Sequence, residues 1–184
     1  MAHVILYHSI LGLRPIEEDL AREWRAAGHQ VTLPDLFDGR RTDDYDEGFA
    51  QYREIGPAVV QERALAALDG VPEDAVLAGI SMGAGMAAEA WARRPATRGI
   101  LFLAGPADWP EAVGAPVQMQ AARPDPFDDE EVFLAWEVAN LGSPLEVFRY
   151  DGVGHLFFDP AMPDYDAAAA TACRERCAAF LNRL

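Results

Sequence analysis

The chain has 184 residues, of which 51% are hydrophobic, and its formal net charge is −15. This length predicts one domain, residues 1–184, with enough apolar side chains for a core. The negative charge repels nucleic acid and anionic membrane surfaces, and no apolar run approaches the roughly 18 residues of a membrane span. The first residues form no basic segment or cleavage site, which predicts a cytoplasmic protein. Cys173 and Cys177 lie four residues apart with no histidine nearby, so neither a metal nor a cofactor is expected.

Strand-like apolar runs alternate with helical patterns along the whole chain. Six strands are predicted at 4–7, 30–33, 75–80, 99–103, 116–120 and 146–150. Helices are predicted at 15–27, 48–68, 82–94, 129–141 and 165–184. This alternation is typical of an α/β protein with a parallel sheet covered by helices on both faces. The acidic segment 38–48 is interpreted as a solvated loop, and a mobile rim over the functional site is the alternative.

The stretch Gly79-Ile80-Ser81-Met82-Gly83 is the strongest chemical signal in the sequence. It joins the third predicted strand to an alanine-rich helix, the context in which a G-x-S-x-G pattern predicts a nucleophilic serine. The glycines remove side chains that would collide in so tight a turn, and the first N–H groups of the helix point at the serine oxygen. We therefore predict that Ser81 is a nucleophile and that the N–H of Met82 helps to bind an oxyanion. A plain strand-to-helix turn with a chance serine is the alternative.

A serine nucleophile needs a base, and the base needs an acid that orients it. His155 is the one histidine that follows Ser81, and it lies beyond the sixth predicted strand in a loop with two glycines. The acid is expected after the preceding strand, where Asp125 lies between two prolines. Asp128 is the rival, although capping of the next helix also explains its position. The predicted triad is Ser81, Asp125 and His155.

Several further motifs appear in order along the chain. They are His8 to Leu13 after the first strand, Leu33 to Phe37 after the second, Gly79 to Gly85 at the serine, Asp125 to Phe127, Gly154 to Phe157, and Asp159-Pro160 leading to 163–166. On these motifs the chain resembles the dienelactone hydrolases, a compact branch of the α/β-hydrolase fold, over nearly its whole length. The resemblance implies about six parallel strands in the order 2-1-3-4-5-6, without the leading antiparallel strands of larger relatives.

Three positions depart from the pattern of that family. Ser81 stands where members that open dienelactones usually carry cysteine, Ser9 stands where they carry a glutamate, and Phe158-Asp159 lies where they place an arginine that binds the substrate carboxylate. The resemblance thus implies a serine hydrolase that cleaves a small ester, thioester or lactone, and the departures favour neutral substrates unless Arg14 or Arg53 supplies a charge. The alternative function is a non-hydrolytic member of the fold that binds, isomerises or cyclises a small molecule.

The resemblance also assigns residues around the predicted nucleophile. The second oxyanion donor is the N–H of Ile10, in the loop after the first strand. The positions of five other residues near the predicted site, rather than the resemblance, make them candidate substrate contacts: Leu11, His8, Trp109, Phe157 and Phe158. Plain packing is the alternative for the aromatic residues, and support of the oxyanion loop is the favoured role of His8. The enzyme is expected to be a monomer or a homodimer.

Overall fold

The computed structural model describes residues 1–108 and 114–184, and a six-stranded sheet lies at its centre. The strands are β1 (His3–Tyr7), β2 (Gln30–Thr32), β3 (Val76–Ile80), β4 (Ile100–Leu103), β5 (Val117–Arg123) and β6 (Leu145–Asp151). Their order in the sheet is β2-β1-β3-β4-β5-β6, and all five pairings are parallel. The predicted α/β-hydrolase fold and its strand order are therefore confirmed.

Six helices surround this sheet in the described part of the chain. They are α1 (Pro15–Ala26), α2 (Tyr45–Ile55), α3 (Pro57–Ala66), α4 (Met82–Arg93), α5 (Glu130–Ala139) and α6 (Ala167–Asn182). Every residue of β3 and of β4 is buried, as expected for central strands that are covered on both faces. None of the helices described has the length and apolar character to cross a membrane.

The single helix predicted at 48–68 is wrong, because the chain forms two helices there. Gly56 has a φ of 94°, which ends α2, and Pro57 begins α3. Proline has no N–H to donate to a preceding turn, but it suits the first position of a new helix. Helix α2 also begins earlier than predicted, because the Asp44 side chain accepts a hydrogen bond from the N–H of Glu47 at 2.9 Å. The end of the segment 38–48 is therefore helical.

The ends of four strands place the candidate site. In the parallel register Tyr7 of β1 lies beside Gly79 of β3, and Arg123 of β5 lies beside Asp151 of β6. These strands therefore end at the same edge of the sheet, where the connections that follow them come together. The loops after β3, β5 and β6 carry the three residues of the predicted triad.

The start of α4 packs directly on the backbone of β1 and β3. A Cβ atom on Gly79 would overlap the carbonyl oxygen of Gly83, and a Cβ atom on Gly83 would overlap the carbonyl oxygen of Tyr7. Only glycine allows backbone segments to approach this closely. The two glycines thus fix the helix against the strands and set the position of the serine between them.

Candidate active site

Ser81 lies between β3 and α4 in a strained backbone conformation. Its φ is 53° and its ψ is −115°, a region that residues other than glycine rarely occupy. The N–H of Ser81 donates to the carbonyl oxygen of Leu103 at 2.7 Å, which holds the turn to the end of β4. The side chain remains partly exposed to solvent. The turn thus presents a hydroxyl at the carboxyl end of a fully buried strand.

His155 connects Ser81 to Asp125. Its Nε2 atom lies 2.8 Å from Oγ of Ser81, and its Nδ1 atom lies 2.8 and 2.9 Å from the two carboxylate oxygens of Asp125. Asp125 also accepts a hydrogen bond from the N–H of Phe127 at 2.9 Å, which orients the carboxylate. Both Asp125 and His155 are buried. The structure therefore brings the three residues into one hydrogen-bonded series.

The loop that carries His155 is shaped by local contacts. Gly152 has a φ of 73°, and its N–H donates to the carbonyl oxygen of Arg123 at 2.8 Å. Gly154 lies so close to the side chain of Asp164 that a Cβ atom there would overlap it. The N–H of Phe157 then donates to the carbonyl oxygen of Gly154 at 3.2 Å. These contacts direct the imidazole toward the end of β3.

Asp128, the rival acid, occupies a different place. No hydrogen bond joins it to His155 among the described residues, and it lies against Gly105. Burial, followed by the nearby charge of Asp125, raises the pKa of Asp128. The helix cap is made by Asp129, which accepts from the N–H of Glu131 at 3.0 Å. Asp125 is therefore the carboxylate that is placed to orient the imidazole.

The loop after β1 leaves one backbone donor available beside the serine. The N–H of Leu11 donates to Oγ of Ser9 at 3.2 Å, and the N–H of Gly12 donates to the carbonyl oxygen of Ser9 at 3.2 Å. Within the described chain, the N–H groups of Ile10 and Met82 have no protein acceptor. Both residues line the same cavity as Ser81. These two unpaired donors belong to Met82, which the serine motif predicts as an oxyanion donor, and to Ile10, which the resemblance implies as the second donor.

Glu17 supports this loop from the first helix, and sequence reasoning missed it. Its carboxylate accepts from the N–H of Ser9 at 3.4 Å and from the N–H of Arg14 at 2.9 Å. The side chain is fully buried, and burial raises the pKa of Glu17 to about 7. The signal was present in the sequence, because the side chain of a glutamate at the third position of a helix often accepts a hydrogen bond from the backbone N–H of the residue that precedes the helix.

His8 also supports the loop. Its Nδ1 atom lies 2.7 Å from the carbonyl oxygen of Ser9, and its Nε2 atom accepts from the N–H of Leu36 at 2.9 Å. The ring is fully buried, and this burial lowers its pKa. A neutral imidazole that donates through Nδ1 satisfies both contacts. These contacts engage both ring nitrogens of His8, which stays within the protein interior.

A cavity of about 200 Å³ opens beside the serine. The described residues that line it are Ile10, Tyr45, Phe49, Tyr52, Ser81, Met82 and Phe127. Leu11, Phe157 and Phe158 are buried instead, and the ring of Phe157 packs 4.5 Å from that of Tyr150. Trp109 lies outside the described residues.

The aromatic wall of this cavity was missed by sequence reasoning. Tyr45, Phe49 and Tyr52 follow a spacing of four and three residues on α2, which places them on one helical face. That spacing was a usable signal, but it does not reveal which loop the face meets. Phe127 joins them from the loop after β5, with its ring 5.0 Å from that of Tyr45.

The described residues contain no group of three or more histidine, cysteine, aspartate or glutamate side chains that could hold a metal ion. Cys173 and Cys177 are both buried and carry free thiols.

Comparison with known proteins places the chain in a family. The dienelactone hydrolase family matches residues 1–184, whereas no curated protein matches the sequence significantly. Similar solved structures include the dienelactone hydrolase-like promiscuous phosphotriesterase P91 from metagenomic libraries, with a TM-score of 0.80, 18% identity, and coverage of 100% of this chain and 87% of that one. Esterase PE8 has a TM-score of 0.66 and 19% identity, and the match covers 99% of this chain and 92% of that one. Esterase 2 of Thermogutta terrifontis has a TM-score of 0.68 and 14% identity, and the match covers 99% of this chain and 83% of that one. At these identities the structures show a shared fold, and the family match over the whole sequence shows that this chain belongs to the dienelactone hydrolase family.

Proposed function

We propose that this protein is a serine hydrolase that cleaves a small ester, thioester or lactone through an acyl-enzyme. The observation that carries the proposal is the pair of contacts made by His155, 2.8 Å to Oγ of Ser81 and 2.8 Å to a carboxylate oxygen of Asp125. A nucleophile, a base and an acid that orients the base form the catalytic triad that enzymes use for acyl transfer. Membership of a hydrolase family supports the same class of reaction.

In the proposed mechanism, Oγ of Ser81 attacks the carbonyl carbon of the substrate. The serine proton passes to Nε2 of His155, while the Nδ1–H group donates to the ionised Asp125 and keeps the correct tautomer. The carbonyl oxygen becomes an oxyanion, which accepts hydrogen bonds from the N–H groups of Ile10 and Met82. The bond to the leaving alcohol or thiol then breaks, and His155 protonates the leaving group. Water, activated by the same imidazole, releases the acid and restores Ser81.

The surroundings of the imidazole suit this role. The ring of Phe127 lies 4.6 Å from the ring of His155 in an edge contact, and the ring of Tyr45 lies 6.2 Å from it. These rings cover much of the imidazole and exclude water from it. A drier site strengthens the interaction between Asp125 and the imidazolium that forms during attack.

Covalent labelling tests the proposal without knowledge of the natural substrate. A fluorophosphonate should add one phosphonyl group to the protein, and mass spectrometry of the digested protein should locate it on Ser81. The Ser81→Ala variant should lose both the label and the turnover of simple esters, with a nearly unchanged melting temperature. Ser143→Ala, which removes a hydroxyl before β6, is the matched control and should label normally. A label on another serine would contradict the proposal.

A further inference from the structure

We propose that the cavity beside Ser81 binds one uncharged aromatic ring, so that the preferred substrates carry a phenyl-sized group next to the scissile ester bond. This inference rests on the hydrolase function proposed above and adds a substrate class to it. It follows from the walls of the cavity, its volume, and the placement of the nearest positive charges.

The walls of the cavity are mainly aromatic. Four of its seven described lining residues are Tyr45, Phe49, Tyr52 and Phe127. The rings of Tyr45 and Phe127 meet edge to face at 5.0 Å, and those of Phe49 and Phe127 lie 6.2 Å apart. Aromatic rings attract one another in such arrangements beyond the effect of buried area alone. A substrate ring among them can make the same kind of contact with several partners at once.

The volume matches a single ring. The cavity holds about 200 Å³, whereas an apolar protein cavity of about 150 Å³ is known to take up benzene. The remaining space is enough for the ester atoms that must reach Ser81. A ring also loses less conformational freedom on binding than a flexible chain of similar apolar area.

Two of the wall residues expose apolar surface at the mouth of the cavity. Phe49 is 37% exposed and Phe127 is 46% exposed. Both rings belong to the wall that faces the nucleophile, and a bound ring would cover part of them. Removing this apolar area from water favours binding of an apolar group over a polar one.

No charged side chain lines the cavity among the described residues. Arg14 is only 2% exposed, and its guanidinium lies 2.7 Å from a carboxylate oxygen of Asp159 and 3.1 Å from one of Asp43. Arg53 lies on α2 with an exposed side chain outside the lining. Arg14 is paired and Arg53 lies outside the lining, so neither places a positive charge in the cavity. A substrate carboxylate bound there would lose its hydration without gaining an ion pair, and the net charge of −15 would repel it. The ring is therefore uncharged.

Matched esters test the substrate class. Ethyl phenylacetate, ethyl cyclohexylacetate and ethyl (4-carboxyphenyl)acetate share a methylene that separates the ring from the carbonyl, so their intrinsic reactivities are similar. We expect kcat/KM for the phenyl ester to exceed that of the cyclohexyl ester about threefold or more. It should exceed that of the carboxylated ester about tenfold or more. A second pair, benzyl acetate and cyclohexylmethyl acetate, carries the ring on the alcohol side of the ester. A higher kcat/KM for the aromatic member of either pair supports the proposal.

Variants of the cavity wall connect the preference to the structure. Phe127→Leu and Phe49→Leu should each bring the phenyl-to-cyclohexyl ratio close to one. Leu141→Ala, at a site that is 79% exposed beyond α5, is the control and should keep the parental ratio. Phe49→Leu alters a partly exposed side chain, so it remains informative if Phe127→Leu does not fold.

Two results would overturn the inference. One is a phenyl-to-cyclohexyl ratio of kcat/KM near one for both ester pairs in the parent enzyme. The other is a parental value of this ratio in both Phe127→Leu and Phe49→Leu. Fluorophosphonate labelling separates this failure from failure of the proposed function. A protein labelled at Ser81 without a ring preference loses the substrate class alone, whereas a protein that is not labelled loses the hydrolase function as well.

Discussion

Replacing Gly83 by alanine would test the close packing that forms the turn around the serine. A Cβ atom at this position would overlap the carbonyl oxygen of Tyr7 and lie 2.7 Å from that of His8. Both obstacles are backbone atoms, so a change of side-chain rotamer cannot relieve the clash. Helix α4 would have to move away from β1, and Ser81 at its start would move with it.

The magnitude follows from a comparison with Gly85, two residues further along the same helix. Forcing extra atoms into a packed core costs about 1–3 kcal/mol, and rigid backbone on two sides places Gly83→Ala near the upper end. At Gly85 the added Cβ has no described atom within 4 Å beyond the neighbouring residues and backbone of its own helix, and alanine is favoured over glycine inside a helix by about 1 kcal/mol. The propensity gain applies to both variants, so their free energies of unfolding should differ by the cost of the clash, about 3 kcal/mol.

Thermal unfolding and labelling provide the assay. A change of about 1 kcal/mol shifts the Tm of a chain of this size by about 2–4 °C, so Gly83→Ala should melt well below the parent protein and Gly85→Ala slightly above it. The displaced serine should also react more slowly with a fluorophosphonate in native Gly83→Ala. Equal Tm values for the two variants, or parental labelling of Gly83→Ala, would refute this reasoning.

Three further predictions concern catalysis, pH and charge. Asp125→Asn should lower kcat about 10⁴-fold because the imidazole loses its orienting carboxylate. Asp128→Asn should lower kcat far less, because His155 is hydrogen-bonded to Asp125 instead; equal losses would reassign the acid. Burial raises the pKa of Glu17 from 4.5 to about 7, so the folded protein binds the proton more tightly than the unfolded chain does. The free energy of unfolding, measured in urea, should fall by up to about 3 kcal/mol as pH rises from the unfolded pKa of 4.5 to above the folded pKa of about 7. Glu17→Gln should remove this pH dependence of stability, and the same pH dependence in the variant would exclude Glu17 as its source. Salt should raise kcat/KM for a carboxylated ester but not for its neutral analogue, because it screens the repulsion between the substrate carboxylate and a protein of net charge −15. If the ratio of the two kcat/KM values is the same at low and high salt, this repulsion is excluded.

The fold was predictable because its signals are local. The first, third and fourth strands are short apolar runs, and strands that mostly alternate with helices allow few arrangements other than a parallel sheet. The turn around Ser81 was predictable for a related reason, since the glycines at 79 and 83 and the strand and helix beside them are contiguous in the chain. The break between α2 and α3 at Gly56-Pro57 was equally local but was overlooked.

The tertiary structure alone decided which distant side chains meet. It placed Asp125 rather than Asp128 against His155, because the loop after β5 turns the first carboxylate toward the imidazole. It put Glu17 beneath the backbone of Ser9, and it brought Phe127 against one face of α2. Helical spacing predicts that Tyr45, Phe49 and Tyr52 share a face, but the surface that this face meets depends on the packing of segments far apart in sequence. The sequence therefore determined the elements and the chemically capable residues, whereas long-range packing determined which of them form a site.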